Sequence, residues 1–174
     1  MIRAILICML FIFCMKVNSQ SFDVGIMSFL NIVTNNKLYE VEKDGLTLNG
    51  GGLKFNFQQA YQQSTCNYNI GLELSFNDWG NQILSRLGAN TLLNNQIGIN
   101  IILLNGLALY VDNLAYVFGA EASVFHLIKI KNINRVKLNL GVRFTQNTKY
   151  KTIGNFSFVD LPVSICWLFG NRID

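Results

Sequence analysis

The sequence has few charged residues. Of its 174 residues, 14% are Asp, Glu, Lys or Arg, whereas 51% are hydrophobic. Soluble domains usually carry about 25% charged residues, so this chain lacks the groups that normally cover a water-exposed surface. Histidine occurs once, and no CxxC motif is present. The composition therefore argues against a metal site built from a histidine pair or paired thiolates, and we predict no metal and no cofactor.

The charge pattern offers no nucleic-acid surface. Fourteen basic and ten acidic residues give a formal charge of +4, but the basic residues are not clustered on one predicted face. The densest group, Lys129 to Lys137, straddles a predicted turn and indicates solvated turn charges. The glycines form neither a GxGxxG nor a P-loop motif. We therefore expect no nucleic-acid partner and no nucleotide cofactor.

A hydrophobic run long enough to span a bilayer is also missing. Residues 1–19 combine Arg3, an apolar run from Ala4 to Met15 and a small-residue exit at Val17-Asn18-Ser19. This order is typical of a secretory signal peptide, and the run is shorter than the roughly 20 residues of a spanning helix. We predict cleavage after Ser19, which leaves residues 20–174 as one domain. The alternative is a helix that stays attached as a membrane anchor.

Apolar and polar residues alternate along much of the chain. In NYNIGLELSFN, Asn67 to Asn77, the apolar residues fall on one parity and the polar residues on the other. Val136 to Gln146 alternates in the same way. A period of two residues indicates β-strands with one apolar and one polar face.

Strands are predicted along most of the mature chain. They cover Ser21–Val33, Leu46–Gln62, Asn67–Asn77, a segment from Gln96, Leu107–Val111, Leu114–Ile130, Val136–Gln146 and Ile153–Phe169. The three glycines at 50–52 predict a bend or bulge. The segment from Trp79 to Asn95 has helical spacing and is predicted to be a loop with a helical turn. Asn105-Gly106 is typical of a hairpin; eight strands result if it is a turn and seven if it is a bulge.

Two features leave alternatives open. Pro162 lies inside the last predicted strand, where it requires an edge, a bulge or a locally open hydrogen bond, because proline has no N–H to donate. Cys66 and Cys166 remain after signal removal, and the sequence is compatible with a disulfide or with two apolar thiols.

Alternation fits a soluble barrel with an apolar core or a membrane barrel with a polar lumen. The polar parity is rich in amides and small residues and carries isolated charges, and aromatic residues lie near strand ends. Both features favour a membrane barrel. We therefore predict an all-β, eight-stranded antiparallel transmembrane β-barrel. Its lumen is too narrow for an open pore, and its charges are expected to pair as a structural network formed by Glu73, Glu121, Lys137 and Arg143.

Within the last predicted strand, the segment FSFVDLPVSICWLF from Phe156 to Phe169 places an acid and a proline between aromatic and hydrophobic residues. With the Asn- and Ile-rich composition and the signal ending VNSQ, this segment resembles small outer-membrane β-barrel proteins of Gram-negative bacteria, particularly those of the Bacteroidota group. The resemblance implies an outer-membrane location. The chain departs from the pattern after Phe169, because GNRID follows where such barrels often end on an aromatic residue.

We expect a structural or surface-interaction role without catalysis. The predicted partners are outer-membrane lipid and an extracellular or envelope partner that contacts the outer loops at 34–45, 79–95 and 147–151. One alternative is a secreted soluble barrel that binds a small hydrophobic ligand in an apolar interior. Another is a lipid-modifying enzyme that uses Glu121, Ser123 and His126, but in a regular strand His126 points away from the other two.

Overall fold

Eight alternating segments form a closed antiparallel barrel in the computed structural model, which describes residues 20–32, 46–60, 66–77, 80–94, 96–110, 113–130, 134–147 and 156–169. Each strand pairs with its neighbours in chain order, and β8 pairs with β1 to close the sheet. The strands are β1 (Gln20–Ile32), β2 (Leu46–Ala60), β3 (Cys66–Asn77), β4 (Gly80–Leu92), β5 (Ile97–Tyr110), β6 (Asn113–Ile130), β7 (Asn134–Asn147) and β8 (Phe156–Phe169). The predicted fold, an eight-stranded antiparallel barrel, is confirmed.

The barrel has two ends, which we call lower and upper. At the lower end β1 begins and β8 finishes, and the connections 61–65, 93–96 and 131–133 lie there. At the upper end the connections are 33–45, 78–79, 111–112 and 148–155. The predicted outer loop 34–45 and residues 148–151 lie outside the described residues. No helix in the described part of the chain is long and apolar enough to cross a membrane.

The prediction of a loop with a helical turn between Trp79 and Asn95 was wrong. Gly80–Leu92 forms β4, paired along its length with β3 and β5. Leu84 points inward and is fully buried, whereas Ile83 and Leu87 point outward. Because apolar residues occupy both faces of this strand, the period of two was hidden and a helical spacing appeared in its place. The long connection predicted after the third strand is therefore only residues 78–79.

The hairpin predicted at Asn105-Gly106 was also wrong. Both residues lie inside β5, where Asn105 pairs with Ser85 and Phe118, and Gly106 pairs with Leu84 and Val117. Gly106 has no positive φ, unlike Gly50 and Gly80. The segment Leu107–Val111, which looked too short to span a bilayer, is largely the upper end of a 14-residue strand. The predicted count of eight strands was correct only because two errors cancelled. The prediction missed β4, and it divided β5 into two strands.

Close packing against β4 explains glycine at position 106. A Cβ added there would lie 2.0 Å from the backbone oxygen of Ile83 and 2.8 Å from Cα of Leu84. Backbone atoms of a closed sheet have little freedom to shift, so Gly106→Ala is expected to destabilise the barrel by about 1–3 kcal/mol. Urea unfolding of the refolded protein measures the effect. Gly51→Ala is the matched control, because its Cβ would meet only the backbone oxygen of Met27 at 3.1 Å; equal effects would contradict the explanation.

The glycine-rich segment at 50–52 and Pro162 both lie next to irregularities in strand pairing. The β1–β2 register shifts between Ser28 and Leu30, and Gly50 has a φ of 126° at that point, which confirms a bulge in the glycine-rich segment. In the β7–β8 ladder, pairing passes from Val163 directly to Asp160. The pairing of Pro162 with β7 is therefore open, while its pairing with Phe29 of β1 is kept.

The side chains divide sharply between the two faces. Leu72 and Leu138 are 43% and 38% exposed on the outer face, whereas Glu73 and Lys137 are buried inside. Cys66 is exposed on the outer face and Cys166 is buried on the inner face. The two cysteines also belong to strands that are not neighbours, so this structure contains no bond between them.

Candidate functional site

Four charged side chains from four strands meet in the middle of the lumen. Glu73 of β3, Arg86 of β4, Glu121 of β6 and Arg143 of β7 are all at most 4% exposed. Glu121 and Arg143 are direct cross-strand partners. All four side chains point inward, and they lie at the same height in the lumen. We call these four residues the central network.

Each carboxylate of the central network contacts both guanidinium groups. Arg143 donates from Nη1 to Oε1 of Glu73 at 2.7 Å and from Nη2 to Oε2 at 2.9 Å, and its Nε donates to Oε2 of Glu121 at 3.1 Å. Arg86 donates from Nη2 to Oε1 of Glu121 at 3.0 Å and from Nη1 to Oε2 of Glu73. The Arg143–Glu73 and Arg86–Glu121 pairs join non-adjacent strands, so the network crosses the lumen. Charge-assisted, bidentate pairing of this kind is geometrically specific.

A second polar group lies lower in the lumen around Asp23 of β1. Its carboxylate accepts hydrogen bonds from Nδ2 of Asn56 at 2.5 Å and Nε2 of Gln58 at 2.7 Å. Lys137 Nζ is 3.8 Å from Oδ2 of Asp23 and 4.5 Å from the centre of the Phe125 ring. Asp23 thus accepts hydrogen bonds from the adjacent β2 and has an ion-pair partner, Lys137, on β7.

Lys54 makes its described contact across a neighbouring strand. Its Nζ donates to Oγ of Ser164 at 2.5 Å, although Lys54 belongs to β2 and Ser164 to β8. Gly25 of β1 lies between them, opposite Lys54 on one side and Cys166 on the other. The bond therefore joins β2 to β8 across the inner face of β1.

Two apolar clusters also lie in the lumen, one above and one below the central network. Leu84, Ala108, Ala115 and Val117 form a buried cluster toward the upper end. Phe125, Leu127 and Leu168 form another toward the lower end, with Leu92 packed against it. The described lumen is therefore a packed interior with charges bonded to one another, as a narrow eight-stranded barrel requires.

The predicted site residues separate into two groups in the structure. Glu73, Glu121 and Arg143 meet in the central network, whereas Lys137 lies lower and contacts Asp23. The prediction omitted Arg86, because it lies in the segment read as a loop. It also omitted Asp23 and Lys54. Their inward parity, shared with Gly25 and with Asn56, was the signal that could have found them.

The catalytic alternative places its residues on opposite faces. Glu121 and Ser123 are buried on the inner face of β6, whereas His126 is exposed on the outer face. Oγ of Ser123 accepts a hydrogen bond from Nδ2 of Asn100 at 3.3 Å. A serine nucleophile needs its base within hydrogen-bond reach, and a histidine on the other side of the sheet does not meet that condition. Within the described strands, no group of three or more His, Cys, Asp and Glu side chains is placed to hold a metal ion.

The chain matches no protein-family model and no curated protein sequence. Among solved structures it is similar to the crystal structure of neisserial surface protein A. The TM-score is 0.42 and the sequence identity 13%, and the match covers 85% of this chain and 94% of that chain.

Proposed function

We propose that this chain is an outer-membrane β-barrel protein with a structural or surface-interaction role. One observation carries the proposal: exposed aliphatic side chains dominate the outer face of the described strands, while the central network, Asp23, Lys54 and Lys137 lie inside. The aliphatic band, as we call this set, contains Ile26, Leu53, Ile70, Leu72, Ile83, Leu87, Ile99, Ile101, Leu103, Val124, Leu138, Leu140, Val142, Val163 and Ile165. Monomeric soluble proteins rarely expose apolar patches larger than a few hundred Å². A lipid environment removes the free-energy cost of exposing this apolar surface to water.

Aromatic residues near both ends of the barrel support the same environment. Tyr68 and Trp167 are exposed near the lower end, and Phe76 and Tyr116 near the upper end. Membrane barrels place aromatic rings at the two lipid–water interfaces. Trp79 and Tyr150, which the sequence also placed near strand ends, lie outside the described residues.

The strand lengths and the hydrogen bonding also suit a bilayer. The strands contain 12 to 18 residues, and a tilted transmembrane strand needs about 9–11. Closure of β1 onto β8 leaves no strand edge, and hydrocarbon requires every backbone polar group to be paired inside the structure. The small outer-membrane barrels of Gram-negative bacteria, including the Bacteroidota group that the sequence resembles, are the class we propose.

Within this proposal the lumen charges hold strands together and do no chemistry. Both carboxylates of the central network are occupied by arginine donors, and the soluble alternative needs an apolar interior that these buried charges and amides do not provide. Lipid is the proposed partner of the outer face. An extracellular or envelope partner is proposed for the predicted outer loops at 34–45 and 147–151, since most of the third predicted loop, 79–95, forms β4.

Extraction of membranes tests the proposed location. The full-length chain, expressed in a Gram-negative host, is expected to remain in the outer-membrane pellet after a carbonate wash at high pH and to dissolve only in detergent. A soluble periplasmic protein of the host serves as the control for vesicle opening. Release of the chain into the carbonate supernatant would favour the secreted soluble barrel and contradict the proposal.

A further inference from the structure

Three buried amide oxygens lie in the lumen without a hydrogen-bond donor. They are Oδ1 of Asn56 in β2, Asn69 in β3 and Asn100 in β5, and within the described strands no group donates to any of them. Each of these residues is at most 6% exposed. Buried polar groups in native proteins are almost always paired, either with protein groups or with ordered water. The three oxygens therefore indicate a bound donor.

The nitrogen atoms of two of these amides fix their orientation. Nδ2 of Asn56 donates to Oδ1 of Asp23 at 2.5 Å. Nδ2 of Asn100 donates to Oδ1 of Asn139 at 3.2 Å and to Oγ of Ser123 at 3.3 Å. Turning either amide over would place its oxygen against another acceptor. The unpaired oxygens therefore cannot gain a partner by that rotation.

Glycine and serine occupy the inward positions directly below the central network. Below Glu73, Arg86, Glu121 and Arg143 these positions hold, in the same order, Gly71, Gly88, Ser123 and Gly141. We call these four residues the glycine–serine layer.

The three amides border the glycine–serine layer. A Cβ at position 71 would overlap Oδ1 of Asn56, so this oxygen points into the layer. Asn69 is the next inward residue below Gly71 on β3. Asn100 contacts the layer through its hydrogen bond to Ser123. The unpaired oxygens thus lie around one small part of the lumen.

N–H groups without an acceptor lie beside the same layer. Nε of Arg86 has no acceptor within the described strands, whereas its Nη atoms donate to the carboxylates of the central network. Nζ of Lys54 carries three N–H groups and has one described acceptor, Oγ of Ser164. Lys54 is also the register partner of Glu73, which places it close to the layer.

We propose that buried water molecules occupy the glycine–serine layer and bridge the three amide oxygens to Nε of Arg86. Water both donates and accepts, and a buried water commonly makes about three hydrogen bonds. A metal ion would satisfy only the oxygens and would be repelled by Lys54 and Arg86, whereas an anion would satisfy only the N–H groups. Through Asn56 the water links the central network to Asp23. The water site requires only the closed barrel and does not depend on what covers its outer face.

Water-to-protein ROESY spectra of the refolded protein in nanodiscs test the site. Wild-type protein is expected to show dipolar cross-peaks from water, opposite in sign to exchange peaks, at Nε–H of Arg86 and at the side-chain amide of Asn56. Asn69→Leu removes one acceptor and is expected to lose the cross-peak at Asn56. Asn90→Leu is the matched control and should keep it, because Asn90 is also buried but its Oδ1 already accepts from Nδ2 of Asn67 at 3.1 Å.

A crystal structure of the wild-type protein grown with rubidium and bromide ions identifies other occupants. Density within hydrogen-bond distance of at least two of the amide oxygens, without an anomalous signal, is the expected result. An anomalous peak in the layer would show an ion and overturn the proposal. Absence of the water cross-peaks from wild type, or equal losses in Asn69→Leu and Asn90→Leu, would overturn it too. Gel mobility shows whether each variant folds, and the wild-type spectra and crystal decide if one does not.

Discussion

Replacing Arg143 by methionine is expected to lower the free energy of unfolding by about 3–5 kcal/mol, the usual effect of removing one partner from a buried ion pair. Arg143 supplies both bonds in the bidentate contact with Glu73 and two more to Glu121. After its loss, Arg86 is the one described cation that still donates hydrogen bonds to the two carboxylates, each of which is at most 4% exposed. An uncompensated buried charge is the cause of the destabilisation.

Two further variants show whether charge, and not lost packing, is responsible. Arg143 also lies over the ring of Phe29, with the guanidinium carbon 4.9 Å from the ring centre, so methionine retains part of that apolar contact. Adding Glu73→Gln to Arg143→Met removes one of the stranded charges. The double variant is expected to lose clearly less stability than the sum of the two single variants, because the two residues are directly coupled.

Urea unfolding in phospholipid vesicles provides the measurement, with tryptophan fluorescence and gel mobility as signals. Lys129→Met is the control, because Lys129 is an exposed basic residue near the lower end of β6. Its loss should change stability by less than about 0.5 kcal/mol. A loss below about 1 kcal/mol for Arg143→Met would show that the network contributes little to the stability of the barrel.

The fold was predictable where each strand has one apolar and one polar face. In β3 and β7 the alternation of Leu72 with Glu73, and of Val142 with Arg143, correctly assigned the two sides. Alternation is a local property, and a barrel wall whose outer face is apolar and whose lumen is polar preserves it along the strand.

The sequence was misleading where the lumen itself is apolar or tightly packed. Leu84 faces inward in β4 because it packs with Val117 at the upper end, and this breaks the alternation. Gly106 follows an asparagine as in a hairpin, but it serves the close approach of β5 to Ile83 of β4. Both effects depend on neighbouring strands, and a reading of one strand at a time contains no information about them.

The same limit explains the partial prediction of the central network. Parity placed Glu73, Glu121 and Arg143 on the inner face, but parity cannot show that Arg86 completes the group from a strand that was not recognised. It also cannot show which charges meet at one height. That depends on the register between strands, such as the pairing of Glu121 with Arg143.

The second large effect is expected on the opposite face of the sheet. In the proposed membrane location, Leu140→Arg should lower the stability of the barrel in phospholipid vesicles by about 2–4 kcal/mol, because an arginine that faces lipid near the bilayer midplane is costly. Leu140 lies in the middle of β7, 61% exposed, between Val124 of β6 and Val163 of β8. In a soluble barrel the same substitution would replace an exposed leucine in water and change stability by only about 0.5 kcal/mol.

The control is the same substitution at an outer-face position near the end of the barrel. Ile130 is 48% exposed and ends β6 at the lower end of the barrel, where a membrane barrel meets the interface. Ile130→Arg is therefore expected to lower stability by at most about 1 kcal/mol. A large effect at 140 with a small effect at 130 requires a hydrocarbon layer that is centred on the barrel. Small effects at both positions would mean that water reaches the middle of the outer face, and the aliphatic band would then need a protein partner in place of lipid.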